Sequence, residues 1–285
     1  MSQTPLVIEN PREMRAYSAA AKARGERVGF VPTMGALHQG HLSLIQFARQ
    51  HCDRLVVSIF VNPLQFNQAS DLDKYPRTFP ADSALCAGAG VDVIYFPDLK
   101  AMYPEGFQTK VSLGRMTEGL CGAFRPGHFD GVTTVVLKLF NAVLPDIAAF
   151  GEKDYQQLAV IQRMAADLDL AVEVVGRPTG REPDGLALSS RNVHLSAQER
   201  AEALCLWRGL CAARALAQAG ETHAAAVKAA ARAPIAAAAG IKLEYLEIVD
   251  STTLEPLTRL DRPARMAVAA WAGGTRLIDN LALNY

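Results

Sequence analysis

Apolar residues in the first 176 positions follow two alternating rhythms. Short runs rich in β-branched and aromatic residues occur at GERVGFVP (25–32), RLVVSIFVN (54–62), VDVIYFP (91–97), DIAAFG (146–151) and AVEVVG (171–176). Near-continuous apolar runs of this length predict strands covered on both faces, as in a parallel sheet. Between them lie stretches with helical spacing at 42–51, 79–90, 129–144 and 155–170. In the last of these, Leu158, Ile161, Ala165 and Leu168 share one side. Strand and helix repeated in this way predict right-handed crossovers and an α/β fold with a mostly parallel sheet. The rhythm changes after the cluster RPTGREPDG at 177–185. Residues 196–239 are Ala-rich and helical, with Ser196 and Glu199 spaced as a capping box. Three strand-like segments follow at 243–250, 264–272 and 275–280. The chain therefore reads as an α/β domain over 1–176 and a smaller α+β domain over 177–285.

Composition narrows the class. A chain of 285 residues suits two domains and is long enough for a substantial core. Its 29 basic and 29 acidic side chains cancel, so the electrostatic footprint of a nucleic-acid or anionic-membrane binder is missing. Five cysteines (Cys52, Cys86, Cys121, Cys205 and Cys211) are odd in number and contain no Cys-x-x-Cys, so they read as reduced thiols. The N-terminus MSQTPLVIENPREM lacks a basic flank followed by an apolar run, and Lys228, Arg232 and Pro234 break the Ala-rich tract. These features predict a soluble cytoplasmic protein.

The chemistry concentrates at strand-to-helix transitions. In VPTMGALHQGHLSLI (31–45) a strand ends, Gly35 supplies a turn, and His38 and His41 open a helix three residues apart. A helix N-terminus flanked by glycines admits phosphate, and two histidines there can donate to it. The pair alone fits a simple helix cap equally well. Neither G-x-x-x-x-G-K-[ST] nor G-x-G-x-x-G occurs, which excludes a P-loop and a dinucleotide fingerprint. FGEKDYQQL (150–158) opens another helix, with Lys153 unfavourably placed unless an anion binds. DGLALSSRN (184–192) pairs two hydroxyls with Arg191, a fork suited to phosphate. Asn62 and Gln65 lie at and just beyond the end of the strand at 54–62, where polar amides serve substrate selection. Taken alone, this spacing supports only a phosphate-binding α/β enzyme.

PTMGALHQGH, SIFVNPLQF, DLDKYPRT, RPGHFDGV, GEKDYQQL and DGLALSSRN, in this order and with RLIDN near the C-terminus, together resemble the pantoate–β-alanine ligase family. The resemblance implies a Rossmann-like domain with helices on both faces of a parallel sheet, a smaller C-terminal domain covering the site, and a homodimer. It implies ATP binding by Met34, Gly35, Ala36, Leu37, His38, Gln39, Gly40 and His41, with His41 as proton donor. Gly151, Glu152, Lys153, Asp154, Gly180, Leu188, Ser189, Ser190 and Arg191 complete that set. Gln65 matches a glutamine that contacts pantoate and β-alanine, Gln157 matches a second pantoate glutamine, and Asp82 matches an acid associated with Mg²⁺. His38, His41, Lys153 and Arg191 are the implied catalytic set. Leu64, Arg177, Gly180 and Leu188 depart from the residues usual at their positions. The activity implied is ATP-dependent condensation of (R)-pantoate with β-alanine through a pantoyl adenylate. Another nucleotidyltransferase with the same His-x-Gly-His signature, or a nucleotide-binding regulatory protein, would share the turn but not the amine-dependent release of AMP.

Overall fold

The β-branched runs of the first half pair side by side. In the computed structural model, which describes residues 4–67, 72–73 and 75–284, these strands are β1 (Leu6–Ile8), β2 (Val28–Thr33), β3 (Arg54–Ile59), β4 (Val93–Tyr95), β5 (Ile147–Gly151) and β6 (Glu173–Arg177). They form one sheet in the order β1-β4-β3-β2-β5-β6, and every pairing is parallel. The crossovers are α1 (Pro11–Ala23), α2 (Gln39–Arg49), α3 (Phe79–Gly88), α4 (His128–Val143) and α5 (Tyr155–Asp167). Period-two alternation sends successive side chains to opposite faces. Phe30 meets Phe140 of α4 edge-on at 6.3 Å, while its neighbour Val31 packs with Leu44, Ile45 and Ala48 of α2. Helices therefore cover both faces. Chain order reverses at β2, whose neighbours are β3 and β5, and open α/β sheets bind ligands beyond the strand ends at such a point.

Two results differ from the hydrophobic pattern. β1 and α1 were not foreseen in it. The buried stripe of α1 is Met14, Ser18 and Ala21, too small and polar to register as a hydrophobic period, although Asn10 caps the helix and Pro11 starts it. Leu168 was expected on the buried side of the fifth helix, but α5 ends at Asp167 and Leu168 is 47% exposed.

Contacts divide the chain into two units. The first comprises Met1–Leu113, Arg125–Gly151 and Gln157–Pro178; the second comprises Gly114–Phe124, Glu152–Gln156 and Thr179–Tyr285. In the second, α6 (Ala197–Gln218) and α7 (Ala224–Ala236) pack with an antiparallel sheet of β7 (Ile241–Asp250), β8 (Ala264–Ala272) and β9 (Thr275–Ala282). Small residues let the helices approach closely: a Cβ on Gly209 would stand 2.6 Å from the Ala231 carbonyl oxygen. Ser196 and Glu199 form the expected capping box of α6. Buried Gln156 ties two short pieces of this unit together. It accepts from the Cys121 N–H and donates to the Met116 and Gly119 carbonyls. Among the described residues, no helix is long and apolar enough to cross a membrane.

Candidate active site

The turn after β2 is built from local polarity. Thr33 donates its hydroxyl to the Ser58 carbonyl at 2.6 Å and accepts the Gly35 N–H at 3.2 Å. Gly35 and Ala36 both take positive φ, 84° and 51°, which bends the chain sharply toward α2. Asp82, at the start of α3 and only 2% exposed, then locks the bend. One carboxylate oxygen accepts from the Ala36 N–H at 3.0 Å and from the Thr78 hydroxyl at 3.0 Å. The other accepts from the Leu37 N–H at 2.8 Å. A Cβ on Gly35 would sit 3.1 Å from this carboxylate, so glycine is needed for closeness as well as for φ.

His38 and His41 cap α2 reciprocally. His38 Nδ1 accepts from the Gly40 N–H at 3.1 Å, and His41 Nδ1 accepts from the His38 N–H at 3.3 Å. The ring centroids lie 4.1 Å apart. Since Nδ1 accepts in each ring, the neutral imidazole carries its hydrogen on Nε2. The pair is thus a helix cap and a pair of oriented Nε2–H donors at once. Free backbone N–H groups were the expected phosphate cradle here. Those of Gly35, Ala36, Leu37, His38 and Gly40 instead have partners within the protein.

Gln65 ends a short 3-10 turn, Pro63–Gln65, and its Nε2 reaches Met34 Sδ at 3.2 Å. An implied substrate residue therefore touches the implied nucleotide turn. Asn62, expected beside substrate, is 1% exposed, and its amide is spent inside the fold on Gln65, Gly131, Leu64 and Tyr103. Its Nδ2 donates to the Gln65 side-chain oxygen at 3.1 Å. Gln157 begins the first-unit part of α5, and among the described residues its amide has no hydrogen-bond partner. A cavity of about 390 Å³ lies beside the turn, lined by Met34, Gly35, Ile59, Phe60, Phe79 and Asp82 among others. Of the motif DLDKYPRT, Asp71 and Lys74 lie outside the described residues.

The second unit carries the other cluster. Lys153, Ser189 and Arg191 line one pocket with Arg276 and Asp279, so the GEKD and LSSR motifs converge in space. Asp154 is exposed beside Lys153, their charged atoms 4.0 Å apart. Ser189 caps the turn Ser190–His194 by accepting from the Arg191 N–H at 3.2 Å. The loop bearing LSSR is a small hairpin: Leu188 N–H donates to the Gly180 carbonyl, and Arg181 bridges to Ala187. Arg181 pins it, pairing with Asp279 through both nitrogens at 2.6 and 2.8 Å and lying 3.8 Å over the Trp207 ring. Asn280 donates to the Glu152 and Lys153 carbonyls at 2.8 and 2.9 Å, fixing the short 3-10 turn Glu152–Asp154 that bears Lys153. Asp279 and Asn280 of the RLIDN motif thus anchor both the LSSR hairpin and the GEKD turn. Arg177, an unusual residue at its position, stacks 4.3 Å over Phe47.

Among the described residues, the side chains do not form a cage for a metal ion. Both oxygens of Asp82 are committed to the turn, and no group of three His, Cys, Asp or Glu side chains among the described residues could hold a metal ion. Asp82, the acid that the resemblance associates with Mg²⁺, here accepts from two backbone N–H groups and the Thr78 hydroxyl.

Known proteins share this arrangement along almost the whole chain. A family model described as pantoate-beta-alanine ligase matches residues 6–282. A pantothenate synthetase of Heliobacterium modesticaldum is 53% identical over 275 residues, covering 96% of this chain and 98% of that protein. The pantothenate synthetase of Pseudomonas fluorescens is 52% identical over 279 residues, 97% of each chain. The crystal structure of pantothenate synthetase from Thermus thermophilus matches with a TM-score of 0.93 at 47% identity, covering 98% of this chain and 100% of that one. Pantoate-beta-alanine ligase from Francisella tularensis, complexed with beta-gamma ATP and beta-alanine, matches at 0.80 and 33% identity over 98% of both chains. By its fold, its motifs and its full-length match, the chain belongs to the pantoate–β-alanine ligase family.

Proposed function

We propose that this protein condenses (R)-pantoate with β-alanine at the expense of ATP, through a pantoyl adenylate, releasing pyrophosphate and AMP. The observation that carries this reading is the contact of Gln65 Nε2 with Met34 Sδ, which sets a carboxylate-binding amide against the nucleotide turn. The pantoate carboxylate attacks the α-phosphorus of ATP. The bond to the bridging oxygen breaks and its electron pair leaves with pyrophosphate. The β-alanine amine then attacks the acyl carbon, and AMP departs. Such a reaction gains most from alignment and from neutralising the charge that builds on the leaving group.

The side chains divide this work. Gln65 and Gln157 align pantoate, and Gln65 also meets β-alanine. The segments 34–41, 151–154, Gly180 and 188–191 bind ATP, with the exposed Asp154 directed to ribose. His38 and His41 present Nε2–H to phosphate oxygens, and Lys153 and Arg191 supply positive charge to the departing pyrophosphate. Mg²⁺ is proposed as the companion ion of ATP, with Asp82 as the acid associated with it, and it would offset phosphate charge there. Residues 1–176 take the ATP and pantoate role and 177–285 the role of a smaller second domain. A homodimer belongs to the same proposal and is checked by sedimentation equilibrium, where a monomer mass would refute it. The need for ATP supports a cytoplasmic location.

The test is stepwise. ATP and pantoate alone should release pyrophosphate to about one equivalent of enzyme, and AMP should appear in solution only when β-alanine is added. No pyrophosphate without the amine would overturn the adenylate, and a stable nucleotidyl product would indicate a nucleotidyltransferase.

A further inference from the structure

The motif RPGHFDGV is assigned no task by the reaction as described, yet its side chains converge on one atom. Arg125 Nη2 donates to the Gln65 main-chain oxygen at 2.9 Å, and His128 Nδ1 lies 2.7 Å from the same oxygen. A carbonyl only accepts, so His128 carries its hydrogen on Nδ1. Its Nε2 is then an acceptor, and Arg125 Nη1 stands 3.4 Å from it. Arg125 is steadied by Asn67, whose own amide donates to the Pro126 carbonyl. Gly131 completes the fit. A Cβ there would stand 2.3 Å from the Leu64 oxygen and 2.8 Å from the Gln65 nitrogen.

The direction of the Gln65 amide follows from a chain of fixed polarities. Asn62 Nδ2 is 3.0 Å from the Gly131 carbonyl, which can only accept, and Asn62 Oδ1 accepts from the Leu64 N–H at 3.3 Å. Asn62 therefore cannot be turned round. Its Nδ2 also lies 3.1 Å from Gln65 and must donate to it, so the oxygen of Gln65 faces Asn62. The Gln65 Nε2 is left to face Met34 and the nucleotide turn.

We infer that Arg125, His128 and Asn62 are positioning residues that clamp Gln65 as a fixed hydrogen-bond donor, selecting a substrate that presents a carboxylate or hydroxyl oxygen. This rests on the proposed role of Gln65 toward pantoate. The clamp acts on the main chain through Arg125 and His128 and on the amide through Asn62.

The experiment measures KM for pantoate and for ATP in pyrophosphate release, with thermal unfolding as a fold check, for His128→Leu, His128→Asn, Arg125→Met and Gln65→Ala. His128→Leu should raise the pantoate KM about tenfold, the scale of one lost hydrogen bond, with the ATP KM within about twofold. His128→Asn should recover most of this loss, since its amide nitrogen reaches the position of Nδ1. If Gln65→Ala raises the pantoate KM but folded His128→Leu and Arg125→Met leave it unchanged, the clamp is overturned and the function stands. If Gln65→Ala leaves it unchanged, both fall. Equal rises in both KM values, with no rescue by Asn, would make His128 merely structural and overturn the inference. Arg125→Met, on a more exposed side chain, decides the matter if His128→Leu does not fold.

Discussion

At the scale of single residues, the recurring fact is that one polar atom serves fold and chemistry together. The histidine pair fits both a helix cap and a phosphate site when read from spacing, and the structure makes it the first and leaves the hydrogen of each neutral ring on Nε2. His41→Ala and Lys153→Ala should each lower the rate of pyrophosphate release by orders of magnitude, with circular dichroism unchanged. Release at the wild-type rate would remove that residue from the catalytic set. Asp82 shows what a sequence hides. Its partners Ala36 and Leu37 lie 46 and 45 positions away, and nothing in the spacing connects them. Asp82→Ala leaves two turn N–H groups and the Thr78 hydroxyl without their acceptor. It should cost about 1–3 kcal/mol of stability in denaturant titrations and raise the KM for ATP. Burial, with the Asp82 charge adding to it, pushes the nearby Cys86 thiol up to about 12, so this cysteine stays protonated and unreactive at neutral pH.

At the scale of elements, long apolar rhythms were legible and short or polar ones were not. Strands β2 to β6 and helices α2 to α7 were readable because burial on one or both faces leaves a period in the side chains. β1 has three residues and α1 a stripe of Met14, Ser18 and Ala21, so neither leaves one. The capping signal was present all the same: Asn10 accepts from the Arg12 and Glu13 N–H groups, and Asn10→Ala should cost about 1 kcal/mol in thermal or chemical unfolding. The family motifs were visible as strings, but the residues that contact them from afar, Arg181, Asp279, Asn280, Arg125 and His128, act across chain distances that no local pattern records. The hairpin bearing LSSR turns at Gly185, with φ of 98° and Trp207 only 2.0 Å from where a Cβ would be. Gly185→Ala should destabilise the protein by about 1–3 kcal/mol and disturb ATP binding more than pantoate binding, as separate KM measurements would reveal.

At the scale of the whole molecule, neutral net charge conceals strong local pairing. Glu26 is held at about 2, chiefly by its hydrogen bond from Arg54 and next by that from Arg24, against an ordinary value of 4.5. A carboxyl lowered on folding stabilises the protein above its unfolded value and loses that contribution as pH falls through the folded one. Glu26→Gln should therefore lower Tm at pH 7, and the gap from wild type should close between about pH 4.5 and 2. A gap that persisted at the acid end would refute the assignment.

The strand order has a kinetic meaning. β2 bears the histidine turn at its end, yet its neighbour β5 enters the sheet from far along the chain: the Val28 N–H is held by Asp146, 118 residues away. Contacts of such range form late, since a large loop must close before they return any energy. A ribosome-bound chain lacking β5 would already contain every residue of the 34–41 turn, with one edge of β2 still unpaired. Nucleotide affinity should then arise in the last phase of refolding, after most helical signal has returned, so that ATP binding reports completion rather than collapse.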